Sequence, residues 1–420
     1  MSIEQKINYQ LNKNPWVKKG VKRCYQLAMY AISPKIKKEG NIVRVSPDNG
    51  AEFFFGYYDK SPWDASGRYL LCMKAKNTWS EPDPTDEAEI VLIDTQNSDA
   101  VRKIATTRTW NVQQGCMAQW LGPQFDKEVL YNDIRDENYC SVVLDVESGK
   151  ERVLPMAVYT VSTDGKTGLS LDFSRLHNLR PGYGYAALPE TTKGEALPDN
   201  ACIWKVDIES GEVNALLRYE DFAKFKPRPE MLGAGTVHKV NHLMLSPNGK
   251  RFMVLYRFFV GQRKYTRLIT CNVDGTDMYL LSDDDMVSHC CWKNDKEIIA
   301  FERKKVGGNG YYLMKDKSQE YQHLWAQLNN DGHPSYCPTD NSLVVFDTYP
   351  NRARVQEVKI ARDTDVEGNN IKVLAKVFAP FKYDNETRCD LHPRWSRDGQ
   401  KVCFDSVFEG HRGLYVVNIG

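Results

Sequence analysis

Four histidines have the types and spacing to share one chemistry. His242, His289, His333 and His392 stand 47, 44 and 59 residues apart, each four or five residues ahead of a turn. They are half of the eight histidines in the chain. Converging neutral imidazoles hold a divalent ion through ring nitrogens, and an imidazole also accepts protons near neutral pH. Asp390 lies two residues before His392. In a strand, positions i and i+2 face the same way, so this carboxylate and imidazole are expected to reach one ion together. The metal candidates are therefore His289, His333, Asp390 and His392. The plain alternative is a repeat-consensus histidine that hydrogen-bonds a neighbouring unit.

The elements that must position them are repeats. Asn241-His242-Leu-Met-Leu-Ser246-Pro-Asn-Gly249 runs into an apolar strand, and Pro247 with Asn248-Gly249 suits a tight hairpin turn. Units of similar design start at Ser288-His289, Gly332-His333 and Leu391-His392. Strand–turn–strand content at this period marks a β-propeller, whose blades each present a position to a central channel. Three earlier units open at Glu52, Gln113 and Ala157, which gives seven blades. The third carries a long insertion from Leu171 to Tyr185. The last strand, Gly413-Leu-Tyr-Val-Val-Asn-Ile419, leaves its blade one strand short, so strand 41–46 is expected to complete it and close the ring. The fold class is all-β: a seven-bladed propeller over 41–420 with a basic helical extension over 1–40.

Composition narrows the function. With 26% charged residues and net charge +1, nothing points to a nucleic-acid partner. Residues 1–40 hold nine Lys/Arg against two Glu, so a basic foot joins a mildly acidic body. Within it, Pro15 opens a helix with Val17, Val21, Cys24, Tyr25, Ala28 and Ile32 at three- and four-residue steps. That helix either packs across the propeller rim or, over residues 15–38, lies on an anionic membrane surface. Eleven cysteines without a paired spacing, no signal-peptide core and no membrane-length apolar run give a cytoplasmic expectation. A peripheral position at the inner face of the membrane is its variant.

The histidine units, with His242-x-x-x-Ser-Pro-Asn-Gly and His333-Pro-Ser-Tyr-x-Pro-x-Asp, resemble TolB-type propeller repeats. Over roughly 237–420 the chain resembles the cytoplasmic oligogalacturonate lyases, seven-bladed enzymes that cleave short uronic-acid oligosaccharides by β-elimination with a manganese-type ion. The resemblance implies that His242 is the base and that His289 and His392 are metal ligands. Asp390 stands where that family has a second histidine, and Thr387 where it has a glutamine. An aspartate still suits a hard cation.

Elimination requires removing a proton α to a carboxylate, which a cation on that carboxylate makes easier. Arg175, Arg180, Arg388 and Arg394 are candidate carboxylate clamps, since a guanidinium pairs bidentately with a carboxylate. Gln114 and Tyr183 lie in stretches suited to sugar hydroxyls and ring stacking, and Tyr58 is the candidate acid for the leaving oxygen. The expected activity is a metal-assisted lyase acting on an acidic saccharide. The alternative is a non-catalytic propeller that binds a glycan, glycolipid or partner protein at the membrane surface, beside polysaccharide assembly.

Overall fold

Largely apolar segments of two to ten residues, separated by polar turns, fold as antiparallel strands and collect into seven sheets. The computed structural model describes residues 15–97 and 100–419. The sheets are the blades of a propeller. Blade one spans Glu52–Phe54 to Ala100–Thr107, blade two Gln119–Trp120 to Glu151–Leu154, and blade three Thr160–Val161 to Val213–Arg218. Blade four spans Val237–Leu245 to Tyr279–Ser282, and blade five Val287–Asn294 to Tyr321–Leu324. Blade six runs from Ser335–Cys337 to Lys372–Phe378, and blade seven from Arg394–Trp395 to Gly413–Asn418.

One turn recurs at the inner hairpins. Ser162, Ser246 and Ser396 each close it with a hydroxyl bond to the Asp or Asn two residues on. The glycines that follow, Gly165, Gly249 and Gly399, sit at φ of 76°, 68° and 70°. A Cβ is strained there, so the repeat needs glycine.

A second device fixes the histidines against one another. Three residues after His289 and His392 come the buried Trp292 and Trp395. Each indole donates to the preceding blade, Trp292 to the Met244 carbonyl at 3.1 Å and Trp395 to the Ser335 carbonyl at 3.0 Å. Those carbonyls lie two residues past His242 and His333, so each bond links two histidine positions. Trp120 bonds Pro62 in the same manner. Trp292→Phe keeps most of the packing but leaves a buried carbonyl unpaired, and is expected to cost about 1–3 kcal/mol. Trp292→Ala should cost about 3–5 kcal/mol. Urea unfolding measures both, and equal losses would deny the hydrogen bond any part.

The closing strand is where the blade count requires it. Val43 pairs Val416 and Arg44 pairs Tyr415, completing blade seven. Just before it, Lys38–Glu39 adds a fifth strand to blade six, through Lys38–Val377 and Glu39–Lys376 pairs. The N-terminal stretch therefore covers the outer edges of two adjacent blades.

Preceding these strands, the helix Pro15–Ile32 rests on blade six. Tyr30 stacks on Phe378 with centroids 5.4 Å apart and meets Phe381 edge-on at 5.6 Å. The Arg23 guanidinium lies over Phe381 at 5.1 Å and 3.5 Å from Asp384. Arg23, Gln26, Met29 and Tyr30 are the half-buried seam. The apolar row that the helical period singles out faces the other way: Val17, Val21, Tyr25 and Ile32 are 48–78% exposed. No helix among the described residues is long and apolar enough to cross a membrane.

Candidate metal centre and acid–base pair

The channel brings all four histidines around two tyrosines from blade one. The Tyr58 ring lies 5.8 Å from His242, 5.9 Å from His289, 5.1 Å from His333 and 6.2 Å from His392. Tyr57 is 5.6 Å from His242 and 5.2 Å from His392. His333 touches both neighbours, at 4.0 Å from His289 and 4.3 Å from His392.

Donor atoms of His333, Asp390 and His392 lie within 4.8 Å of one another, and all three residues are buried. The two imidazoles are held by their other nitrogens. His333 Nδ1 bonds Asp347 at 2.8 Å, and His392 Nδ1 bonds the Gly56 carbonyl at 2.8 Å. Their Nε2 atoms are buried and have no hydrogen-bond partner among the described residues. An unpaired buried nitrogen is costly, and a metal ligand oriented through its second nitrogen has this arrangement. The residues fit a divalent ion.

Asp347 does more than orient one ring. Its second oxygen takes the His392 backbone N–H at 3.0 Å, so one carboxylate fixes two members of the triad. Arg388 grips Asp390 through two bonds, at 2.5 and 2.7 Å. Burial works against the Asp390 charge, but Arg388 more than offsets it and holds the carboxyl below its usual range. Burial likewise works against a charged His333, while Asp347 raises it. His392 is pushed well down by burial and then by His333, which keeps it neutral.

Asp390 and His392 do not meet by strand alternation. Both lie in irregular chain ahead of Arg394–Trp395, and His392 adopts φ 45°. His242 is also left-handed, at φ 55°, where the inner strand of blade four slips register between Asn241 and Met244. Left-handed backbone at a bulky side chain is strained, and two instances at one centre fit a functional constraint.

His242 is neutral: burial, then His289, lowers it to about 3. Its Nε2 is 3.2 Å from the Cys290 carbonyl, which only accepts, so the ring proton sits there. Nδ1 is then the lone-pair nitrogen, and it takes the Tyr57 hydroxyl at 3.3 Å. Tyr57 is the group that sequence reading passed over in favour of its neighbour. The Tyr58 hydroxyl donates to the Cys290 carbonyl at 2.9 Å and accepts the Cys290 N–H at 3.1 Å. The Tyr58 hydroxyl also lies 3.4 Å from His242 Nε2, but its proton is held by the Cys290 carbonyl, whereas the Tyr57 hydroxyl faces the lone pair on Nδ1.

His289 stands beside the triad rather than in it. Its Nδ1 bonds Asp331 at 3.0 Å, a contact that bridges blade five to the segment before His333. Two of the arginine clamps are corrected as well. The insertion folds as a short helix, Phe173–Leu179, and Arg175 turns inward from it to pair Glu190 at 2.7 Å and to cap the His238 carbonyl. Arg394 is buried, with both terminal nitrogens on Asp405 at 2.8–2.9 Å and one of them also on the Gly56 carbonyl. Gln114 gives its amide to Tyr159 at 2.7 Å and lines the aromatic floor. Arg180 stacks over Tyr183 at 4.5 Å and Arg388 over Tyr349 at 4.4 Å. Arg180 remains available to a ligand at the channel, whereas Arg388 is held in its two bonds to Asp390.

The buried imidazoles set the acid response. Burial, then Arg175, lowers His238 to about 4, and His242 sits at about 3, against an ordinary 6.5. Below pH 6.5 the unfolded chain binds protons that the folded chain refuses until those values. The contribution of these two groups is therefore full above pH 6.5 and falls with acid, by about 2 kcal/mol per group at pH 5. His238→Asn should remove about 2 kcal/mol of the loss between pH 7 and 5 in urea unfolding. An unchanged pH dependence would contradict the assignment.

Neither a protein-family model nor a curated protein sequence matches the chain. Solved structures do. An oligogalacturonate lyase from Vibrio parahaemolyticus superposes with TM-score 0.61 at 13% identity, over 92% of this chain and 98% of that one. An oligogalacturonate lyase in complex with manganese gives 0.63 at 15% identity, over 92% and 97%. The propeller domain of a trilobed protease from Pyrococcus furiosus gives 0.50 at 12% identity, over 89% and 94%. At such identities the likeness is one of fold: this chain is a seven-bladed propeller built along nearly its whole length like those of the oligogalacturonate lyases.

Proposed function

We propose that the protein is a metal-assisted lyase that cleaves a uronic-acid-containing oligo- or polysaccharide by β-elimination. The observation that carries this reading is the pair of unpartnered Nε2 atoms on His333 and His392 beside Asp390, one tyrosine ring away from the neutral His242. When bound by those three residues, a divalent ion supplies positive charge for the carboxylate next to the departing proton. The manganese complex of the similarly folded lyase makes manganese the first ion to try.

The chain's own residues handle the proton. Tyr57 carries the hydroxyl that His242 Nδ1 accepts, so as its oxygen takes the C5 proton its own hydroxyl proton moves to Nδ1, leaving a neutral tyrosine and an imidazolium. The C5–H bond breaks, its electrons form the C4–C5 double bond, and the C4–O bond opens. The same pair returns its proton to the departing oxygen. Arg388 orients Asp390, Asp347 orients His333, and Arg180 with Tyr183 borders the sugar. The test is a panel of uronate and neutral oligosaccharides, with and without manganese, followed by ultraviolet absorbance of the unsaturated product. Manganese-dependent absorbance from uronates alone is expected. None from any uronate would count against the reading.

A second reading is favoured by the exposed face of helix Pro15–Ile32: peripheral contact with an anionic lipid surface. An apolar row beside a basic segment suits such a surface. Vesicles of phosphatidylglycerol should sediment the protein, phosphatidylcholine vesicles should not, and Val21→Glu/Ile32→Glu should abolish the effect. Equal sedimentation by both lipids, or none, would sink it.

A further inference from the structure

Blade four carries cations that no acid among the described residues pairs. Lys239 and Arg257 are direct cross-strand partners, so two positive side chains stand opposite each other on one face. Thr266 follows Arg257 in the next strand, which places Lys264 diagonally beside the same pair. Lys239 is 1% exposed and Arg257 5% exposed. The Lys239 ammonium and the Arg257 Nε are buried with no hydrogen-bond partner, and so is the Arg180 Nε from the blade-three insertion. Arg257 and Arg180 feel each other's charge, and both act on Lys239. Asp331, the acid that acts on Lys264, is already held by His289 and Ser288. Like charges opposed across a ladder destabilise it, and burial without a counter-charge deepens the penalty.

Two registers link this face to the reacting pair. Lys239 is three residues before His242 on the same inner strand, and Arg257 is two past Leu255, the partner of Asn241. Both Arg257 and Arg180 act on the Tyr57 environment. We infer that Lys239, Arg257 and Arg180, with Lys264 at the rim, form a subsite for a dianionic oxyanion group next to the His242–Tyr57 pair. The group is either a phosphomonoester or two adjacent uronate carboxylates, because a single carboxylate would leave most of the charge uncompensated. The subsite rests on the acidic-ligand part of the proposed function and not on elimination.

The test uses the full chain kept metal-free with EDTA, titrated calorimetrically with inorganic phosphate, digalacturonate and galacturonate. At least one of the two dianionic probes should bind tenfold or more tighter than galacturonate, and the better one names the source. Lys239→Met and Arg257→Met should each weaken that probe at least tenfold while raising the melting temperature of the ligand-free protein. A structural role would lower it instead. Arg257→Lys keeps the charge and should keep most of the affinity, which serves if the methionine variant does not fold. Galacturonate binding as tightly as either dianion, or both methionine variants melting lower with unchanged affinity, would overturn the subsite. Retained dianion binding in a protein that forms no unsaturated sugar would fell the lyase reading alone. Product formed with affinity untouched by both variants would fell the subsite alone.

Discussion

Replacing His242 by alanine is expected to lower the rate of elimination about 10³-fold and to leave the metal content of the protein unchanged. The imidazole is held neutral by burial and lies outside the triad, so its loss removes a proton acceptor and not a ligand. Tyr57→Phe sharpens the result. It keeps the ring between His242 and His392 but deletes the hydroxyl that reaches Nδ1. A loss of about 10²-fold or more is expected if that hydroxyl relays the proton. Tyr58→Phe should instead act mainly on stability, since its hydroxyl bridges the two backbone groups of Cys290. Wild-type rates in Tyr57→Phe would leave His242 without a path for the proton.

The second large effect falls on the metal. A His333→Ala/His392→Ala variant is expected to lose its divalent ion and all measurable elimination, because it deletes both unpartnered nitrogens. Asp347→Asn should be milder. It touches the His333 Nδ1 and the His392 backbone without being a ligand, and second-layer changes of this kind weaken metal binding by about 10–100-fold. Elemental analysis after dialysis, paired with a manganese titration, separates the two. If His289→Ala loses the metal as completely as the double variant, the triad is drawn wrongly. His289 is expected to matter through Asp331 and its contact with His333 instead.

Repetition made most of this architecture legible. His-x-x-Trp units and Ser-x-Asp/Asn-Gly turns recur because each blade meets the same neighbour in the same manner, so the blade count and the closing strand follow from the sequence. Features that depend on one particular register did not. Tyr57 and Tyr58 are adjacent, and only the fold shows which hydroxyl donates to the Cys290 carbonyl and which faces His242 Nδ1. Arg175 looks free until Glu190, fifteen residues on, folds back onto it. Strand alternation united Asp390 with His392 for the wrong reason, since the pair lies in irregular chain beside a left-handed histidine. Lys239 opposite Arg257 is invisible until the strands pair, because eighteen residues and a bulge separate them. The apolar period of the first helix was legible, but its docking seam was set by Arg23 and Tyr30 meeting Phe381 and Phe378.

One measurement bears most directly on the chemistry. Digalacturonate is incubated with the manganese-loaded protein in water enriched in heavy oxygen, and the products are weighed by mass spectrometry. Elimination predicts one unsaturated and one saturated monosaccharide whose masses sum to that of the substrate, with no solvent oxygen incorporated during cleavage once carbonyl exchange is corrected with unlabelled standards. Two saturated products, one carrying solvent oxygen, would mean hydrolysis, and the assignment of His242, Tyr57 and the triad to β-elimination would fall.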